Sequence, residues 1–438
     1  VYSTQNQGYV MRIKIIFSLI LLFSWLFITP AKSDEQPLVI LTTLSDTPMR
    51  PLTEAFSARY PETKVQVVYR RVAIATRMMK QYPTQPVDIV MSSSANFFHH
   101  LDREGLLARL PINYETPKWL TRHSDILNDK ITTVGYSGIG IMSNRQYLQK
   151  LGIPAPKSWI DLSDPIYQGH LTMTTPANSG TMQLMVENVL QEYGWERGWQ
   201  ILLETSGNLS SISARSSRVS DAIARGIVGA GPIIDNYAFN HQKRFDFVDF
   251  SYFDKSIILP AYVAIVAESS KRDTAAKFIA FLLSDEGQEI IYKSDMAKIP
   301  LSKEILRNND ELANNTEFIL NSNEAYRRSE VVNVLFDQMI THNFPLMRQV
   351  WNEIHEAEKQ QNRSPERIAA TNQARKIASS VLISEKEANS PTLQALFMKE
   401  ADQREYSDQA LAVLYQWRTL EAEKLEQALV LLKETKSP

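Results

Sequence analysis

Small hydroxyl, amide and guanidinium side chains gather in this sequence just after short apolar runs, a placement suited to holding an anion. Ser45 and Thr47 follow the first such run, Arg71 the second, and Ser92 and Ser93 the third. Further on come Asn178, Ser179 and Thr181, then Arg215 and Ser216, and later Asp235. Arginine suits phosphate or carboxylate because its planar fork makes two charge-assisted bonds at once. Serine, threonine and loop N–H groups complete such a site without adding charge. Asp235 is an odd neighbour for phosphate, yet it accepts from the hydroxyls of an organic ligand. Each residue also has an ordinary use. A serine before a helix is a cap, and a loop arginine is a solvated charge.

Catalytic chemistry finds no comparable support. The chain has no Gly-x-Ser-x-Gly elbow, no P-loop and no Gly-x-Gly-x-x-Gly. It has no cysteine, which removes disulfides, thiolate metal sites and a thiol nucleophile together. The seven histidines form no HExxH or HxH spacing, and the neighbours His99 and His100 would point apart on a helix. No metal, no cofactor and no enzymatic activity are expected.

The elements that must position these groups can be read from periodicity. Residues 38–43, 64–69 and 87–91 read as strands, and 49–60, 73–81 and 95–108 as helices. This β-α-β-α rhythm predicts an α/β fold with parallel sheets and helices on both faces, ligands sitting beyond the carboxyl ends of the strands. Residues 132–143 read as a crossover, with Gly138 and Gly140 expected to let the backbone bend. Leu171 to Thr174 is a strand, Pro176 to Thr181 a small-residue loop, and Met182 to Tyr193 a helix, so free N–H groups face the end of a sheet. Residues 257–268 return the chain to the first lobe.

From Gly138 to about Leu301 the ordered features accumulate: Ile139-Gly140-Ile141 with Asn144, Pro156-Lys157-Ser158-Trp159 with Asp161-Leu162, and Asp164-Pro165 with Gly169. Ser179-Gly180-Thr181, Tyr193-Gly194, Gly198-Trp199, Ala222 to Gly226 and the run 275–288 follow. This ordered set resembles the iron(III)-type periplasmic solute-binding proteins of ABC transporters. Within them the chain is most similar to the phosphoglycerate transport regulatory (PgtC-type) proteins, because it runs on to residue 438, well past the usual end. The resemblance implies a type II two-lobed binding protein with a hinge and a cleft. Iron-binding members use adjacent tyrosines. Here Tyr237 stands alone with Ala238 after it, so the pair is broken. The expected ligand is therefore a small phosphorylated organic acid such as a phosphoglycerate. The alternative is a hexose phosphate or ferric ion delivered to an ABC permease. PgtC-type proteins are held to act with a membrane sensor kinase, which implies a sensory subunit of uptake.

The expected organisation is upstream residues and a signal peptide over 1–33, lobe 1 over 34–136, lobe 2 over 137–256, a return over 257–305 and an all-helical extension over 306–438. Met11 offers a start, Arg12 and Lys14 a basic region, 15–28 an apolar region, and Ser33 a cleavage site, which predicts export to the periplasm without stable membrane insertion. That segment holds three of the 47 basic residues and none of the 49 acidic ones, leaving a net charge of about −5. This balance argues against nucleic acid as a partner. In the extension, Val332, Leu335, Phe336, Met339 and Ile340 share a face, as do Leu411, Leu414, Trp417, Leu420, Leu425 and Leu429. Such stripes suit either packing on the binding domain or docking a partner protein.

Overall fold

A computed structural model describes residues 36–44, 46–80, 86–111, 117–124, 126–302, 312, 318–361, 363–398 and 405–435. The signal-peptide expectation and Ser45 lie outside them. In the first lobe β1 (Leu38–Thr42) is flanked by β2 (Val65–Tyr69) and β3 (Ile89–Ser92), both parallel to it. Helices α1 (Asp46–Arg59) and α2 (Val72–Lys80) make the crossovers, and α3 (Ala95–Arg103) follows β3. Leu38, Ile40, Ile89 and Met91 pack on one face with Met49, Leu52 and Phe56. Leu41 and Val90 serve the other with Ala75, Met79, Phe97 and Phe98. Both faces are covered, so the strands read as unbroken apolar runs. Helix α3 stops short of the expected residue 108 because Gly105, at φ +70°, turns the chain.

After α4 (Lys118–Thr121), the 14-residue β4 (Ile131–Asn144) carries the chain across. The second lobe follows as α5 (Arg145–Leu151), α6 (Trp159–Leu162), β5 (Leu171–Thr174), α7 (Gly180–Tyr193) and α8 (Trp195–Gly207). It continues as β6 (Leu209–Ser213), α9 (Ser216–Ala224), β7 (Ala230–Ile234), α10 (Asp235–Gln242) and β8 (Val248–Tyr252). Strand β9 (Ile258–Ile265) returns to the first lobe, where α11 (Arg272–Leu283) and α12 (Asp285–Lys293) cover it. The first half of β4 pairs with β9, and its second half lies between β7 and β8. One strand therefore belongs to both lobes. The βαβ parts of the sheet are parallel, but β4, β8 and β9 run antiparallel to their neighbours. A chain that leaves a lobe and comes back must cross in both directions. Gly140 serves close approach rather than bending: a Cβ there would meet the Ser251 carbonyl oxygen at 2.2 Å.

The C-terminal helices are α13 (Ser322–Arg327), α14 (Ser329–Phe336), α15 (Phe344–Lys359), α16 (Pro365–Ala378), α17 (Glu385–Ala388), α18 (Pro391–Phe397) and α19 (Asp408–Glu434). A π-helical turn, Asp337–Thr341, joins α14 to α15. The first of their two apolar stripes packs at home, whereas on α19 Trp417, Leu425 and Leu429 are buried and Leu411 and Leu420 are exposed. Val332, Leu335, Phe336, Met339, Ile340, Trp351 and Ile354 are fully buried in one core with Val189, Trp195 and Trp199 of the second lobe. Arg328 fixes the seam. Its Nε and Nη2 donate to Glu187 of α7 at 2.9–3.1 Å, and its Nη1 reaches Glu324 and Glu385, both at 3.0 Å. Its charge also lies 5.2 Å from the Trp195 ring. Among the described residues no helix is long and apolar enough to cross a membrane.

Candidate functional site

Strand β3 ends at Ser92 opposite Tyr262, and β7 ends at Ile234 opposite Ile139. Both lobes thus present the carboxyl ends of their parallel strands to the same stretch of β4 and β9. On the first lobe the Ser92 and Thr43 hydroxyls share a 2.5 Å hydrogen bond, and Ser92 Oγ also accepts from the Ser94 N–H. Ser94 caps α3 by accepting from the Phe97 N–H. The Ser93 hydroxyl is buried and has no hydrogen-bond partner among the described residues. A buried polar group without a partner loses free energy, and a ligand oxygen would restore the bond. Arg71 stands exposed between β2 and α2. Thr47 lies in the first turn of α1, its side chain outside what is described.

On the second lobe Ser179 is the N-cap of α7, accepting from the Met182 N–H at 3.2 Å. Its hydroxyl also pairs with that of Ser216 at 3.1 Å, so the starts of α7 and α9 are tied together. Two helices therefore aim free N–H groups and positive dipole ends into one neighbourhood. Asn178 is exposed and Thr181 half-buried beside them. Arg215 occupies the N-cap position of α9, yet its exposed side chain makes no capping bond. An open hollow of about 500 Å³ borders this loop, between Thr175, Asn178, Ser211 and Ser213 of the lobe and Thr341 and Phe344 of the C-terminal helices.

Asp235 has a different place. It is fully buried at the start of α10, its Oδ2 accepting from the Gly138 N–H at 2.6 Å and the Tyr252 hydroxyl at 3.1 Å. Lys298, 2% exposed, approaches from the segment after α12 and donates to Ser137 Oγ at 2.9 Å. Burial pushes the Asp235 carboxyl up to about 6, against the pull of Lys298 and the Gly138 N–H. Burial likewise pushes Lys298 down to about 8, opposed by Asp235. Asp235 thus holds the crossing strands together in this conformation and is turned away from solvent. Sequence reasoning missed Lys298, Ser137, Thr43 and Tyr252. The sole signal for Lys298 is conformational: Ala297 before it sits at φ +44°, which a non-glycine residue adopts under constraint.

Tyr237, at the place the iron-binding resemblance marks, is half-buried. Burial first, and then the nearby Tyr69 of the other lobe, push its phenol up from its ordinary value. Ala238 beside it is fully buried. Among the described residues no three His, Cys, Asp or Glu side chains gather as metal ligands.

Two α/β lobes joined by antiparallel crossing strands define a two-lobed solute-binding protein. Residues 84–326 match the model of the bacterial extracellular solute-binding protein family, and the chain belongs to that family. The phosphoglycerate transport regulatory protein PgtC of Salmonella typhimurium is 32% identical over 340 residues, which cover 77% of this chain and 85% of that protein. Among solved structures, the periplasmic binding protein AfuA of Actinobacillus pleuropneumoniae, with fructose-6-phosphate bound, aligns with a TM-score of 0.57 at 18% identity, covering 69% of this chain and 98% of its own. Iron-bound HitA of Pseudomonas aeruginosa aligns with a TM-score of 0.52 at 21% identity, covering 61% and 87%. The fold is the type II binding-protein fold, with helices added after the second crossing.

Proposed function

We propose that this protein binds a small phosphorylated organic acid, phosphoglycerate-like, between its lobes in the periplasm and acts as a sensory subunit for its uptake. The observation that carries the ligand class is the Ser179–Ser216 bond, which draws two helix starts together on the second lobe. Phosphate oxygens accept from such N–H and hydroxyl donors, and Arg71 and Arg215 supply charge from either lobe. The identity to PgtC supports the regulatory role. In that role a membrane sensor kinase would read the ligand-bound form, and the added helices give it surface that an ABC permease subunit does not need.

A thermal-shift panel tests the ligand. 3-Phosphoglycerate, 2-phosphoglycerate and phosphoenolpyruvate should raise Tm, by the stabilisation of about 2.7 kcal/mol that a ligand gives at a hundred times its Kd. Hexose phosphates, inorganic phosphate and ferric citrate should do less. Stabilisation by ferric citrate alone would overturn the phosphate reading, and by hexose phosphate alone would move it to sugar uptake.

A further inference from the structure

Helix α13 touches both lobes with consecutive residues. The Ala325 carbonyl accepts from Gln183 Nε2 of α7 at 3.4 Å. The Tyr326 ring lies against His99 of α3, centroids 6.2 Å apart and planes 30° from parallel. Helices α3 and α7 are the ones capped by Ser94 and Ser179, so this short helix bridges them about a turn behind their starts. Its two attachments differ in kind. Gln183, Glu187 and Gln191 recur every four residues along one face of α7, the spacing of neighbours on a helix. All three meet this part of the chain: Gln183 at Ala325, Glu187 at Arg328, and Gln191 at the Asn321 backbone through bonds of 2.8 and 3.3 Å. The Glu187–Arg328 pair is buried and multiply bonded. On the other lobe the attachment described is a ring contact between half-buried residues.

We propose that α13 is a clasp across the cleft, anchored on lobe 2 by the Gln183–Glu187–Gln191 face and closing on lobe 1 through Tyr326 and His99. The separation of α3 from α7 is set by what lies between their starts. The clasp thereby converts occupancy of the cleft into the order or release of the first helix of the C-terminal array. It rests on the cleft as the ligand's seat, and not on which ligand takes it.

The test needs no ligand, and the absence of cysteine makes it clean. In the full chain, His99→Cys with Tyr326→Cys should be joined rapidly by a short bis-maleimide. His99→Cys with Tyr415→Cys is the control, since Tyr415 is 73% exposed on α19. Small-angle scattering of His99→Ala and of Tyr326→Ala should each shift to a larger radius of gyration, and the double variant should shift no further than either single one. Equal crosslinking of the two cysteine pairs overturns the clasp, as does scattering unchanged by either alanine. If the alanine variants expand but 3-phosphoglycerate leaves the wild-type scattering unchanged, the clasp stands and the ligand reading falls.

Discussion

Lys298 is held where an ammonium group is costly, and the constraint begins one residue earlier. Ala297 at φ +44° turns the backbone so that the lysine runs inward along β4 to Ser137, within reach of the Asp235 charge. The pair joins a segment of the first lobe to the first residue of α10 in the second, so each charge is the other's main compensation at the crossing. Removing one partner of a directly bonded buried pair costs about 3–5 kcal/mol, and here, where Lys298 donates to Ser137 and Asp235 keeps the Gly138 N–H and the Tyr252 hydroxyl, the loss should fall below that range. The pH dependence follows from the directions. Asp235 ionises less readily folded than unfolded, so its contribution to stability improves as pH falls through about 6 toward its ordinary 3.8. Lys298 loses its proton more readily folded, so its contribution improves as pH rises through about 8. In Lys298→Met the carboxyl loses its counter-charge and its pKa climbs further. The urea midpoint of that variant should fall well below wild type at pH 7.5, and the gap should narrow at pH 5.5 as Asp235 takes up a proton. A gap of equal size at both pH values would mean that Lys298 matters only for packing. The double variant Asp235→Asn, Lys298→Met should recover most of the loss.

At the scale of elements, helix α8 and its neighbour α15 show how packing overrides local preference. Gly207 closes α8 against the face of Trp351, and a Cβ there would meet the indole Cγ at 2.2 Å. Alanine in a helix is worth about 1 kcal/mol over glycine, while forcing extra volume into a packed site costs about 1–3 kcal/mol. The second term should win because Trp351 is fully buried and cannot swing away. Gly207→Ala should lower the urea midpoint, and a rise would show that the α8–α15 seam is looser than described. Much of this level was legible beforehand, since caps and periodicity are local. Ser158 with Asp161 forms a capping box, and Ser179, Ser364, Ser390 and Ser407 each cap the helix they precede. Strand β5 ends where its alternation ends. What local pattern could not convey is partnership. The antiparallel crossing of β8, β4 and β9 joins residues about a hundred positions apart. The Asp235–Lys298 pair arises from that crossing and leaves no motif. An apolar stripe likewise looks the same whether it meets its own chain or another's.

For the whole molecule, the common core of lobe 2 and the C-terminal helices changes what a truncation means. Trp195, Trp199, Val189 and Leu203 share one buried core with Val332, Phe336, Trp351 and Ile354. Cutting the chain near Asn321 would uncover that surface. It would also strand Glu187, which has no exposure and depends on Arg328. Fully burying one such large apolar side chain is worth about 1.5–3 kcal/mol, and several would be lost at once against a net stability of about 5–15 kcal/mol. The remaining apolar patch would also be an aggregation site. A chain ending at residue 320 should therefore be recovered as aggregate, or as a monomer lacking a cooperative unfolding transition, and any loss of ligand binding would follow for that reason alone. Gel filtration and a urea melt decide it. A monodisperse truncated protein with a single sharp transition would mean that lobe 2 is complete by itself and the C-terminal helices are a detachable addition. If the truncated chain instead unravels, loss of signalling on deletion says nothing about a reporter surface. Exposed positions that leave the core intact must then be altered, with Tyr415 and Leu411 on α19, 73% and 49% exposed, the first to change.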